Sequence, residues 1–464
     1  MSETSTRKLL EETARLAAHY RESLDARPVR SQLSAAELQR ELAAPLTEEG
    51  ESPARVIEAL ARAGAAGSVA SAGPRYFGFV IGGSTPTALA ADWLVSAWDQ
   101  NGGLYATSPL ISAIEEVTAA WLRELAGLPG SMTVGFVTGC QMASFTALAA
   151  ARHRVLRNAG WDVEAEGLFG APAIEVLVSD EAHYTIFMAL RLLGLGGTRL
   201  RRVPTDRQGR MRAEALGAML ASVAGPCIVC AQAGNVNSGA FDPLEEIAPL
   251  ARARAAWLHV DGAFGLWAAA APSRAHLVRG VSLADSIATD GHKWLNVPYD
   301  CGIVFCADEA AHRSAMSLSA PALAAPYLAT SVRQRDPHEF VPEESRRGRA
   351  VPVYAALRAL GREGLAELIE RNCRQAQRFA AGLSAAGHEV LNEVVLNQVV
   401  VAFGDAERTR RVVAALQEDG TCWCGATVWK GRTAMRISVS GWATTDADVE
   451  KSLTAILRVA RDTR

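Results

Sequence analysis

Lysine is almost missing from this chain: only Lys8, Lys293, Lys430 and Lys451 occur among 47 basic residues, and all the others are Arg. A guanidinium stays protonated and cannot form an imine, so chemistry that needs a nucleophilic side-chain amine is confined to those positions. Blocks of like charge are missing as well. With a net charge of −3 and acidic and basic residues interleaved, nothing favours nucleic acid as a partner, and a small molecule is expected instead. No run of about 18 apolar residues occurs, which argues against a membrane-spanning helix. The N-terminus, MSETSTRKLLEETARL, is polar and amphipathic without an apolar signal core, so a cytoplasmic protein is expected. Cysteine is sparse and scattered. Cys227 and Cys230 form a CxxC inside PCIVCAQA, but no second pair stands at zinc spacing. Residues i and i+3 of a strand also face opposite ways, so buried reduced thiols are expected and no metal.

The 464 residues, 49% hydrophobic and 21% charged, suffice for roughly three compact units. Residues 6–25 and 34–43 carry apolar positions at helical spacing, the second after a possible Ser34 cap, and Pro53 can sit in the first turn of a helix running to about Ala63. An N-terminal helical segment over 1–70 follows. Within 71–330, short apolar runs (GFVTG, IEVLVSD, PCIVCAQAG, AWLHVDGAF, DSIATDG, CGIVFCAD) alternate with amphipathic stretches. Runs without a polar alternate fit strands buried on both faces, which predicts an α/β domain with a mostly parallel sheet and helices on both sides. Residues 319–348 lack periodicity and carry four Pro, which predicts a long loop. That loop opens a third region, 331–464, in which helical patterns at 350–362, 364–385 and 406–418 alternate with strand-like NQVVVAF and AMRISVS, giving a smaller α/β domain.

Ligands of parallel sheets bind beyond the carboxyl ends of the strands, so the polar residues that end the apolar runs are the candidates for chemistry. SDEAH places His183 there, LHVDGAFG places Asp261, DGHKW places Lys293, and AQAGNVNSGAFDP makes a Gly/Asn-rich turn. In GFVTGCQMASFTALAAARH a strand meets a turn and then a helix, so the backbone at Thr138, Gly139, Cys140 and Gln141 can receive a phosphate. Each feature alone is commonplace: a Lys beside a Trp is often a solvated chain lying on a ring, and a buried Asp is often merely hydrogen-bonded. Together they provide a phosphate site, a flat partner for a ring, a buried anion and an imine-forming amine, which are the requirements of bound pyridoxal 5'-phosphate.

With HVDGAFG and DGHKWL at this separation, and with PRYFGFVIGGS, WDQNGGLYATSP and RISVSGWATTDADV around them, the chain resembles the group II pyridoxal-phosphate-dependent amino-acid decarboxylases along nearly its whole length. The resemblance implies a fold-type I transferase fold and a homodimer with active sites at the interface. It also implies decarboxylation of an L-amino acid. By position it makes Lys293 the Schiff-base lysine, Asp261 the partner of the pyridine nitrogen and His183 the ring-stacking histidine. Gly139, Cys140 and Gln141 match the phosphate turn, His292 and Asn235 further phosphate-side residues, and Ala263 a small residue under the ring. Phe79, Val80, Ile81 and Tyr105 fall in stretches that line the side-chain pocket of relatives, and their apolar character favours an aromatic or bulky apolar substrate.

The chain departs from the family pattern at Cys140-Gln141, where relatives have Gly-Thr, and at Asn235-Val236, where they have Thr-Thr. The place of the loop tyrosine that protonates the carbanion falls at about Asp336-Pro337-His338, with Tyr327 further upstream and His338 the nearest titratable group. Replacement of that tyrosine in plant relatives accompanies decarboxylation coupled to oxidative deamination. An aldehyde synthase or an aldol-type lyase on the same scaffold is therefore the alternative. A non-catalytic cofactor-binding homologue is disfavoured by the joint presence of Lys293, Asp261 and His183.

Overall fold

Seven strands build the larger sheet: β1 (Thr133–Val137), β2 (Glu175–Ser179), β3 (Arg201–Val203), β4 (Cys227–Gln232), β5 (Trp257–Asp261), β6 (Ser286–Asp290) and β7 (Gly302–Cys306). They stand in the order β1-β7-β6-β5-β4-β2-β3 in a computed structural model that describes residues 3–46, 48–317 and 334–463. From β3 through β2, β4 and β5 to β6 every pairing is parallel, whereas β7 runs antiparallel to both β6 and β1. The physical reason is the length of the link between β6 and β7. Residues 291–301 are too few for a helical crossover, so the chain turns back alongside β6. Lys293 lies in that turn.

Every residue of β4, β5, β6 and β7 is buried, as continuous apolar runs require when helices cover both faces. Cys227 packs into the largest apolar cluster and Cys230 into a separate cluster on the opposite face, in keeping with their spacing along a strand. Burial raises the Cys227 thiol to about 12, so it is a protonated apolar filler.

At the N-terminal end, helices span Glu3–Glu22, Ala35–Leu42 and Pro53–Gly67, the second opened by a reciprocal capping box between Ser34 and Glu37 and the third by Pro53 in its first turn. Near the other end, Ala350–Ala385 reads as two helices in the sequence and runs as two in space, joined at Gly361. The backbone there (φ 62°, ψ −175°) suits only a residue without a Cβ. Beyond it, β8 (Glu389–Val390), β9 (Gln398–Ala402), β10 (Gly425–Trp429) and β11 (Arg432–Ser438) form an antiparallel sheet ordered β10-β11-β9-β8, packed on helices Ala406–Asp419 and Asp446–Asp462. No helix among the described residues is long and apolar enough to cross a membrane.

Two contacts fix this smaller sheet to the site. The β10–β11 hairpin reaches back over the large sheet, where Lys430 Nζ pairs with Glu181 at 3.1 Å and Thr427 Oγ1 donates to Asn237 Oδ1 at 2.7 Å. The described part of the expected loop, 334–348, is anchored rather than free. Arg346 donates to Glu115 (2.7 Å), to Gly102 O and to Phe136 O of β1, while Arg335 also pairs with Glu115 and covers the Phe340 ring. The remainder of that segment, Tyr327 included, lies outside the described residues.

Glu115 is 1% exposed and is the carboxylate shared by both guanidiniums. Removing its charge leaves two buried cations uncompensated, so Glu115→Gln is expected to cost about 3 kcal/mol of folding stability. Urea denaturation checks this, and a loss below about 1 kcal/mol would show that the cluster is solvent-relieved.

Candidate active site

The parallel strands β1, β2, β4, β5 and β6 end on one edge of the sheet, and the polar residues that follow them surround a cavity of about 500 Å³. Of the residues expected from the sequence, Gly139, Cys140, Gln141, His183 and Asp261 line it. So do Ala263, His292, Lys293, Phe79 and Val80. Ten scattered positions thus meet in one place because the strand ends do.

The floor is the start of helix Cys140–Asn158. Ala143 N closes the first helical turn onto Gly139 O, and the N–H of Cys140 donates to Asp290 Oδ1 at 2.5 Å. A side chain at Gly139 would press on His292 Cε1 at 3.1 Å, and one at Gly302 would run into the Gly139 backbone, so both glycines are required by packing. Lys293 Nζ pairs with Asp290 Oδ2 at 3.0 Å. Burial pulls this amine toward neutrality, but Asp290 foremost, then Cys140 and Asp261, outweigh it and raise its pKa. His292 accepts the Cys301 N–H at Nδ1 (3.1 Å), which leaves the proton on Nε2, 3.4 Å from Asp290 Oδ1. Burial holds His292 neutral against the pull of Asp290, and Tyr299 stacks on its ring with centroids 4.2 Å apart.

Asp261 ends β5 and is 8% exposed; its Oδ1 accepts the Ala263 N–H at 3.1 Å and the Cys140 thiol at 3.4 Å. Burial first, then the two nearby carboxylates, push that thiol far up, so Cys140 is a neutral donor. His183 stands at the start of helix Tyr184–Leu192 with Nδ1 held by Thr185 Oγ1 at 2.8 Å, leaving Nε2 for a bound molecule. Burial lowers its pKa, Lys293 and Arg436 add to this, and Asp261 opposes.

Five expected positions do not line this cavity, Thr138 among them. Asn235 turns inward: its Oδ1 accepts the N–H groups of Asn237 and Ser238 and its Nδ2 donates to Glu181 O, so its neighbours Gly234 and Val236 form the wall in its place. Ile81 closes the turn behind Val80 by donating its N–H to Gly78 O. Tyr105 and His338 lie together elsewhere: Tyr105 N donates to Asp336 Oδ1 (2.7 Å) and His338 Nδ1 is 3.2 Å from Gly103 O. Conversely, Asp290 and Arg436 stand in the site without being among the residues expected there. Asp290 lies inside DGHKW, beside the expected His292 and Lys293. Arg436 comes from β11 in the other sheet, lines the cavity, donates to Val236 O at 3.1 Å, and is lowered to about 10 by burial. Its only sequence signal was an Arg within an apolar strand.

These groups fit pyridoxal phosphate: a helix start and His292 for a phosphate, buried Asp261 for a ring nitrogen, His183 for a ring face, Ala263 for close approach and Lys293 for the aldehyde carbon. A family model described as the pyridoxal-dependent decarboxylase conserved domain matches residues 36–403. An L-2,4-diaminobutyrate decarboxylase of Rhizobium meliloti (strain 1021) is 33% identical over 392 residues, 81% of this chain and 75% of that one. A 4-hydroxyphenylacetaldehyde synthase of Rhodiola rosea is 26% identical over 379 residues, 79% of this chain and 75% of that one. A solved structure of Oryza sativa TDC with PLP and tryptamine matches the fold with a TM-score of 0.91 at 24% identity, over 100% of this chain and 99% of that one.

If Asn235 is a brace of the turn, Asn235→Ala is expected to lower stability by about 1–3 kcal/mol, the cost of leaving two buried N–H groups without an acceptor. Asn235→Asp, which keeps that oxygen, should retain most of the stability. Thermal unfolding of the two variants side by side decides the matter, and equal losses would refute the bracing role.

Proposed function

Because the chain belongs to the pyridoxal-dependent decarboxylase family, and is with it a pyridoxal-phosphate-dependent carboxy-lyase of amino acids, we propose that it decarboxylates an L-amino acid with an aromatic or bulky apolar side chain. The observation that carries this reading is the meeting of Lys293, Asp261 and His183 in one cavity that Phe79 and Val80 also line. The bound cofactor supplies an electron sink for the pair of electrons left when carbon dioxide departs. The remaining work falls to the chain. Lys293 Nζ would hold the aldehyde carbon, and Asp261 would keep a proton on the ring nitrogen. Neutral His183 would offer its ring or Nε2 to the cofactor or a carboxylate, and Arg436 would give an incoming carboxylate a fixed cation. Whenever its amine is free, Lys293 would hold a proton at Nζ beside Asp290 and could donate it.

The preference for an apolar side chain rests on one wall. Tyr76 and Trp423 stack with centroids 5.0 Å apart, and Phe79 packs on Trp423 at 5.3 Å. Phe79 and Val80 both adopt left-handed backbone angles (φ 52° and 59°), a costly arrangement for non-glycine residues, and both line the cavity. Phe79 remains 61% exposed, free to meet a side chain. A cytoplasmic homodimer with sites at the shared face is part of the same proposal. It is supported by Trp93, Leu94 and Trp98, which the helix Pro86–Trp98 leaves exposed.

A second reading has its own support. Residues 334–348 contain no tyrosine, and His338 is tied to Gly103 O, so the acid expected there is missing. A carbanion left without prompt protonation would give two electrons to dioxygen, forming hydrogen peroxide, and hydrolysis of the resulting imine by water would release an aldehyde and ammonia. Incubation with a panel of amino acids, read by mass spectrometry with carbon dioxide, ammonia and oxygen electrodes, separates the outcomes. Carbon dioxide with the amine supports the first reading; aldehyde with ammonia and oxygen uptake supports the second; a second carbonyl product without carbon dioxide indicates a lyase. Lys293→Ala is expected to abolish both the visible cofactor band and turnover. Arg436→Leu is expected to raise KM about tenfold or more, the worth of one charged hydrogen bond, and an unchanged KM would remove Arg436 from substrate binding.

A further inference from the structure

The start of helix Cys140–Asn158, with His292 and Lys293 beside it, is an arrangement for receiving an anion, and one of the chain's own carboxylates already sits on it. Asp290 Oδ1 accepts the Cys140 N–H at 2.5 Å and faces His292 Nε2 at 3.4 Å, while Oδ2 pairs with Lys293 Nζ at 3.0 Å. Its side chain is 3% exposed, so these donors rather than water balance its charge. Gly139 brings the turn directly against it: a Cβ there would lie 3.4 Å from Asp290 Oδ1.

We propose that Asp290 is a resident stand-in for the cofactor's phosphate, a positioning residue that organises the phosphate donors and the lysine before the cofactor arrives and opposes its phosphate electrostatically once it does. The inference rests on the reading that pyridoxal phosphate binds at this helix start. Three consequences follow from the geometry. The donors are pre-arranged, because the carboxylate holds Cys140 N–H, His292 and Lys293 to one point. Affinity is held below what the helix start could give, because a dianion must share a buried space with a carboxylate that has no room to leave. The electrostatic opposition falls on phosphate: a ring without one meets Asp290 only through its pair with Lys293, which a ring with phosphate meets equally.

Asp290→Asn keeps the size and one accepting oxygen while removing the charge. The chain stripped of cofactor is titrated with pyridoxal phosphate and with pyridoxal, followed by visible absorption, and with inorganic phosphate, followed by calorimetry. Relative to the parent, the variant is expected to bind inorganic phosphate about tenfold more tightly. The ratio of pyridoxal phosphate to pyridoxal affinity should rise by a similar factor. Asp290→Glu, which keeps the charge, should leave that ratio within about threefold. If the Asn variant fails to fold, Asp290→Ser, also uncharged, takes its place. Weaker or unchanged phosphate binding overturns the proposal. So does an equal gain for both aldehydes, which would mean that Asp290 acts on the amine alone. Failure of the parent chain to give a visible band with pyridoxal phosphate would instead overturn the underlying cofactor reading, so the two failures are distinguishable.

Discussion

The parallel alignment of β1, β2, β4, β5 and β6 is the constraint on which the site depends, because it delivers the carboxyl end of every one of those strands to the same edge. Side chains separated by more than a hundred positions in the chain meet there without any of them being held by a loop of its own. Cys140 reaches Asp290 and Asp261 across the start of a helix that follows β1, and Lys293 reaches Asp290 across the short turn that forces β7 to run backward. Lys293 stands at this edge because it follows the carboxyl end of β6 by three residues.

Charge inside the cavity is arranged before any ligand enters. Asp261 and Asp290 face Lys293 and Arg436, while Cys140, His183 and His292 are held neutral by burial. An isolated buried charge is costly, and here each carboxylate has donors within hydrogen-bond reach. A phosphate and a substrate carboxylate would both add negative charge to this balanced set. The two would fall on groups from two different sheets, the phosphate on the helix start and His292 beside the large one and the carboxylate on Arg436 from β11. That division explains why the β10–β11 hairpin is tied down by Lys430 to Glu181 and by Thr427 to Asn237: a cation is useful only if its position is fixed.

Much of this was legible in the sequence because strand ends are legible. Continuous apolar runs closed by Asp261 or followed by His183 and Lys293 announce both a parallel sheet and its functional edge. The antiparallel β7 was hidden because pairing direction depends on the length of a link, not on the composition of a strand. β3 and β8 are too short, and β3 too rich in Arg, to leave a periodic signal. Asn235 was assigned a ligand role from its place in a turn, but an Asn side chain can satisfy the turn's own N–H groups, and here it does. Arg436 could not be found from sequence, since its approach to the cavity depends on how one sheet leans on another.

What the lysine cannot decide is the fate of the carbanion, and the structure locates the reason. Imine exchange would need from the chain an amine and a carboxylate, both of which the strand ends supply in Lys293 and Asp261. Protonation needs an acid at the right carbon, and the described part of the segment where relatives place a tyrosine is committed elsewhere: Arg346 to Glu115, Gly102 and Phe136, and His338 to Gly103. Among the described residues, Asp290 is the carboxylate that pairs with Lys293 and favours its ammonium form. It also accepts the Cys140 N–H and faces His292, so a change at Asp290 would alter the lysine and the helix start together.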